Sequence, residues 1–258
     1  MTNAGSWIAE ARSLLDHLES TQMETIAQAA GWSADAIASG GLVHLFGSGH
    51  SRIPVEEMFP RYGSFPGFHP MAELSMTFHT EVVGTNGQRQ AMFVERVEGL
   101  AGVILSNFDF GDEDVMVVFS ASGRSAVPVE MAIGARERGM RVIAVTSMSE
   151  SKAAESLHSS GTRLFENADL VIDIGTPVGD ALVRLEGLDT PVGPGSTLAN
   201  VAVVNEIKVR TAKLLVARGK LPPVLTAASL VGEEQSSQLF DAAYAEHADR
   251  LSRVLRRA

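Results

Sequence analysis

Apolar residues along the chain follow two rhythms. Val115 to Phe119, five apolar residues without a polar interruption, reads as a strand buried on both faces of a parallel sheet, and the mostly apolar runs Leu42 to Phe46, Arg141 to Thr146 and Leu170 to Ile174 read as further strands. A shorter second strand is expected around Gly67 to His69. Between these runs the spacing changes to three and four. Ile8, Ala11, Leu14, Leu15 and Leu18, then Ile26, Ala27 and Ala30, predict two helical segments between Trp7 and Ala38 with a break near Ser20. Further helices are expected over Gln90 to Leu105, Ala126 to Arg138, Thr197 to Arg218 and about Leu239 to Leu255. Pro177 to Ser196 reads as a long loop. Strands alternating with helices predict an α/β fold: a three-layer α/β/α sandwich around a five-stranded parallel sheet with right-handed crossovers, and extra helices at both termini. The divisions expected are an N-terminal helical segment at 1–40, a central domain at 41–220 and a C-terminal helical extension at 221–258, which follows Pro222-Pro223.

Two of the strand ends share a grammar of strand, small polar loop, helix. The run from Val115 passes into Ser120-Ala121-Ser122-Gly123-Arg124-Ser125, and the run from Leu42 into Gly47-Ser48-Gly49-His50-Ser51. Free amides, short hydroxyls and a positive helix end converge in such loops, which suits them to an anion and above all to phosphate. Ser125 alone reads as a helix cap, with Pro128 in the first turn where its missing N–H is harmless. Three serines and a glycine in one turn exceed what a cap uses. The loop is neither a Walker loop nor a G-x-G-x-x-G dinucleotide turn.

The length of 258 residues suits one large α/β domain with additional helices. No apolar run is long enough to span a bilayer, the amino end lacks the layout of a signal peptide, and cysteine is absent, so a cytoplasmic protein without disulfides or thiolate chemistry is expected. A formal charge of -10 argues against nucleic acid as a partner. The one cationic cluster, Arg250, Arg253, Arg256 and Arg257, is expected on the solvated side of the last helix. His44, His50, His69 and His79 show no metal-ligand spacing, and no metal or other cofactor is expected. The apolar surface of Thr197 to Arg218 is broader than one sheet face requires, which predicts a homo-oligomer, dimer or tetramer.

The three polar strand ends, Gly47 to Ser51, Ser120 to Ser125 and Thr146-Ser147, together resemble the sugar isomerase (SIS) domain, whose second loop has the form Ser-x-Ser-Gly-x-Ser/Thr. The resemblance covers about Leu42 to Gly219 and implies a flavodoxin-like sheet and a small-molecule phosphosugar ligand. Carried over by position, Ser120, Ser122 and Ser125 would grip the phosphate with the amides of Gly123 and Arg124, and Gly47, Ser48, Gly49, Ser51 and Ser147 would complete the site. Glu57 falls where glucosamine-6-phosphate synthase has an active-site glutamate, and Glu73 resembles a second element of that enzyme. The run Val192 to Ser196 with Asn205 and Arg210 is similar instead to N-acetylmuramic acid 6-phosphate etherase. Phosphoheptose isomerase has a histidine in the helix matching Thr197 to Arg218, and this helix has none.

Aldose–ketose isomerisation takes a base that lifts a proton beside the carbonyl and a donor that steadies the enediolate. Glu57 is the expected base, with Glu73, His50 or His79 as donor. An etherase-like lyase or a non-catalytic phosphosugar sensor uses the same phosphate loop; no helix-turn-helix with a basic recognition helix accompanies it at either end.

Overall fold

The computed structural model describes residues 6–77 and 87–255. Two helices of 16 residues each open the chain, α1 (Ser6–Thr21) and α2 (Met23–Ala38), separated at Gln22. Then follow β1 (Val43–Gly47), a 3-10 turn (Gly49–Ser51), α3 (Arg52–Met58), β2 (Phe68–Met71) and the short helices α4 (Leu74–Thr77), α5 (Gly87–Val94) and α6 (Leu100–Leu105). β3 (Val115–Phe119), α7 (Ala126–Glu137), β4 (Arg141–Thr146), α8 (Met148–Ala153) and β5 (Leu170–Asp173) complete the sheet. All of its strands pair in parallel, in the order β2-β1-β3-β4-β5.

Alternation along the strands divides the core into two layers. Val43, Leu45, Val115, Val117, Phe119, Ile143, Val145 and Ile172 pack with α2, α3 and the long helix α9 (Ser196–Ala217). Phe46, Met116, Val118, Val142 and Ala144 pack with α6 and α7 on the opposite face. Every residue of β1 and β3 is buried, as strands covered on both sides require. Phe119 is fully buried at the carboxyl end of the central strand, where it anchors the loop that follows.

Four expectations need correction. The stretch expected to be one helix from Gln90 is two, because Gly99 adopts φ 87 at the start of α6 and gives its N–H to both Glu130 carboxylate oxygens at 2.7 and 2.9 Å. The expected loop at Pro177 to Ser196 holds an antiparallel hairpin, β6 (Ala181–Val183) and β7 (Val192–Pro194), ahead of α9. At its base Asp180 accepts from the Ser196 N–H at 2.7 Å and the Ser196 hydroxyl at 2.6 Å, which caps α9. The terminal helix starts earlier than expected, after the short α10 (Ala228–Val231), and runs as α11 (Glu233–Val254). Arg250 on that helix is buried rather than solvated: Nη1 donates to the carbonyls of Ile37 and Gly41 at 3.0 and 2.9 Å, beyond the end of α2. Of its expected companions, Arg253 is exposed and paired with Asp249, and Arg256 and Arg257 lie outside the described residues.

Candidate functional site

After β1 the chain turns to the edge strand β2, and it then returns past β1 to β3. That reversal is the switch point at which open α/β sheets leave a crevice at the carboxyl ends of their strands. Gly47, the last residue of β1, pairs with Phe119, the last of β3, so both serine loops leave the sheet side by side.

The first loop is tight. A Cβ on Gly47 would lie 2.1 Å from the Ser51 carbonyl oxygen, so only glycine fits, and the Ser51 N–H closes the turn on the Ser48 carbonyl at 3.0 Å. Ser48 is buried, Ser51 is half-buried and His50 is exposed.

The second loop is held by its carbonyls. Ala121 O accepts from the Ser147 N–H and the Thr146 hydroxyl, each at 3.0 Å, Gly123 O from Leu164 at 2.8 Å, Arg124 O from Leu157 at 2.9 Å and Ser125 O from Val129 at 3.3 Å. Gly123, at φ 60, makes the turn, and its N–H donates to the Ser120 hydroxyl at 3.1 Å. With the carbonyls drawn into the protein, the amides face the other way. The N–H groups of Ser122, Arg124 and Ser125 and the Ser122 hydroxyl make no hydrogen bond to another described residue. Arg124 Nε is buried without an acceptor. The start of α7 adds its positive end to this cluster of unpartnered donors, an arrangement of the kind that suits an anion.

One residue in this crevice has no counterpart among the sequence candidates. Glu95, in the break between α5 and α6, accepts from the Ser48 hydroxyl at 2.9 Å through Oε2 and from the Ser125 hydroxyl at 3.0 Å through Oε1. Its carbonyl accepts from Val127 N–H at 3.0 Å, which ties the break to the start of α7. In the sequence Glu95 looks like an interior position of one continuous helix, and no local signal separates it from its neighbours.

Ser147 lies nearby, and its hydroxyl both donates and accepts within the fold. It caps α8 by accepting from Glu150 N–H at 3.2 Å and donates to Thr176 O at 2.6 Å, and the residue is wholly buried. Glu57 lies on α3, and its carboxylate faces α9. Arg61 Nη1 donates to its Oε2 at 2.7 Å, Asn205 Nδ2 stands 3.4 Å from Oε1, and Lys208 Nζ is 3.8 Å from Oε1 while donating to the Glu57 carbonyl at 2.8 Å. Lys208 is buried, and that burial lowers its pKa. Glu73 is half-buried at the start of α4, with its carbonyl receiving Met76 N–H and the Thr77 hydroxyl. His79 lies outside the described residues. The structure therefore brings together Gly47, Ser48, Gly49, Ser51, Ser120, Ser122, Gly123, Arg124 and Ser125, with Glu57 on the helix that follows the first loop.

Two other histidines meet in the layer beneath. His44 Nδ1 is 2.8 Å from His69 Nδ1, and His44 Nε2 is 3.2 Å from Asp114 Oδ2, with Phe108 and Phe110 edge-on around them. Burial, with the neighbouring His44 and His247, pushes the His69 pKa down to about 3. Among the described residues, the set with metal-ligand proximity is Glu98, Glu130 and His158, whose ligand atoms lie within 4.8 Å of one another. Its carboxylates hold turn amides: Glu130 that of Gly99, and Glu98 that of Ser159 at 2.6 Å.

The SIS domain family matches residues 6–147, which include both serine loops. The chain belongs to this family. Similar proteins include the UPF0309 protein of Oceanobacillus iheyensis, 35% identical over 228 residues that cover 88% of this chain and 91% of that one. The UPF0309 protein of Halalkalibacterium halodurans is 34% identical over 221 residues, 86% of this chain and 89% of that one. Among solved structures, a phosphoheptose isomerase from Francisella tularensis aligns with a TM-score of 0.52 at 15% identity, covering 83% of this chain and 100% of that one. The phosphoheptose isomerase of Neisseria gonorrhoeae gives 0.50 at 16% identity, covering 82% and 96%. At these identities the likeness is one of fold, and the SIS sheet with its switch point is what they share. No described helix is long and apolar enough to cross a membrane.

Proposed function

We propose that this SIS domain seats the phosphate of a sugar phosphate between the ends of β1 and β3 and interconverts its aldose and ketose forms. The observation that carries the first half is the turn at Ser122 to Ser125, where three main-chain amides and the Ser122 hydroxyl make no hydrogen bond to another described residue. A phosphate dianion supplies enough oxygens to use all of them, and charge-assisted hydrogen bonds of this kind are the strong ones. The resemblance of the loops to other SIS domains supports a phosphosugar over inorganic phosphate.

For the chemistry, a carboxylate lifts the proton from carbon 2 of the open-chain aldose, the enediolate forms, and the same proton or one from solvent is returned to carbon 1. Glu57 is assigned as that base and Glu73 or His50 as donor. Supporting Glu57 are its place on the helix that begins at the first loop and the side chains of Arg61 and Asn205 that fix its orientation. Lys208 beside it is a second proton-carrying group.

Incubation with a panel of aldose and ketose phosphates in deuterated water tests this reading. Solvent deuterium is expected at carbon 2, and Glu57→Gln is expected to slow its entry by about 100-fold or more while leaving ligand binding in place. Loss of a carbon 3 substituent alongside exchange turns the assignment to a lyase. Tight binding with no exchange turns it to a sensor.

A further inference from the structure

We infer that Glu95 is the specificity-determining residue of the phosphate seat: its carboxylate and the ligand's phosphate compete for the same two hydroxyl donors, so that only a group able to replace an anion enters. The inference rests on the phosphate reading above and extends it to a residue that neither the sequence motif nor the family resemblance singles out.

A serine hydroxyl has one proton to donate. Ser48 gives its proton to Glu95 Oε2 at 2.9 Å and Ser125 gives its to Glu95 Oε1 at 3.0 Å. These serines stand on different loops, one after β1 and one after β3, and a single anion bridges them across the switch point. A ligand oxygen that is to receive either proton must first take it from the carboxylate. A phosphate dianion beside an ionised Glu95 would also place like charges within a few ångströms in a half-buried crevice, where their repulsion is much stronger than in water. Seat and carboxylate therefore exclude each other.

The way out is local. The main chain of Glu95 is fixed at both ends, by its N–H to Ala91 O at 3.1 Å and its carbonyl to Val127 N–H at 3.0 Å. Exchange then takes a rotation of the Glu95 side chain, with its backbone staying on the start of α7. A phosphate repays the two lost donors with charge and with the free amides of Ser122, Arg124 and Ser125. A neutral sugar has nothing to offer in their place, so Glu95 rejects unphosphorylated sugars.

Calorimetric titration with inorganic phosphate, with glucose 6-phosphate and with glucose tests the inference in wild type, Glu95→Gln and Glu95→Ala. Both variants are expected to bind phosphate about tenfold or more tightly than wild type, and glucose is expected to bind wild type undetectably. Equal or weaker phosphate binding by both variants overturns the role of Glu95 while leaving the phosphate seat standing. No phosphate or glucose 6-phosphate binding by any of the three proteins overturns the seat and the inference together. A crystal structure of wild type grown in phosphate gives an answer that does not depend on the variants folding. The Glu95 carboxylate is expected beyond hydrogen-bond distance of Ser48 and Ser125, and a phosphate seated with Glu95 still bridging them contradicts the inference.

Discussion

Ser122 is the residue on which the binding account leans most, because its hydroxyl makes no hydrogen bond within the described residues, whereas those of Ser120 and Ser125 are engaged. Ser122→Ala is expected to weaken a sugar phosphate by about 1–3 kcal/mol without lowering the melting temperature, as measured by calorimetry and thermal unfolding. Gly47 acts in the opposite sense. Any side chain there meets the Ser51 carbonyl at 2.1 Å, so Gly47→Ala must reshape the first loop, and a lower melting temperature together with lost binding is expected. At this scale the serine motif was legible because its spacing is local and every residue type in it has a steric or hydrogen-bonding reason. Ser147 reads two ways by the same logic, since a small hydroxyl after a strand is as well suited to capping a helix as to holding a sugar; in the fold it caps α8. Glu95 was not legible, since its importance comes from two partners 47 and 30 positions away.

Among the elements, β1, β3, β4 and α7 could be read from the pattern to within a residue or so, because strands buried on both faces give largely apolar runs and the helix keeps its three-and-four spacing. The α5–α6 break escaped the same reading. Its cause is the Glu130 carboxylate reaching across from α7 to the Gly99 amide, a contact over 31 residues that no window sees. The last helix shows the same effect in Arg250, which looked solvated and instead closes the end of α2 through two carbonyls and pairs with Glu246 at 2.7 Å. Removing it strands those carbonyls in a buried place. Arg250→Ala is expected to cost about 2–4 kcal/mol in urea unfolding, and a loss below about 0.5 kcal/mol would show that α11 docks without it.

Across the whole molecule the two core layers meet the sheet on opposite faces, and the buried His69–His44–Asp114 chain sits within the second. This gives stability a definite pH dependence. His69 has a pKa of about 3 when folded, against 6.5 as its ordinary value, so below about pH 6.5 the unfolded chain takes up a proton that the folded one refuses. The contribution of His69 is present above that pH and is lost as pH falls from 6.5 toward 3. Asp114, held below the usual carboxylate range by His44 and the Leu42 and Gly111 amides against its own burial, adds a further loss below pH 3.8. Melting temperature is therefore expected to fall between pH 6.5 and 4, and less steeply in His69→Gln; equal slopes would remove His69 as the cause. The α9 face, where Val209 and Val216 are exposed, remains the surface proposed for a dimer or tetramer, and a monomeric mass in light scattering would contradict it.

A crystal structure of the protein with a saturating hexose 6-phosphate tests the central claim most directly. The account predicts the phosphorus at the switch point between β1 and β3, with phosphate oxygens within hydrogen-bond distance of the Ser122 hydroxyl and the Arg124 and Ser125 amides. Phosphate bound elsewhere on the molecule, with those amides facing only solvent, would contradict it.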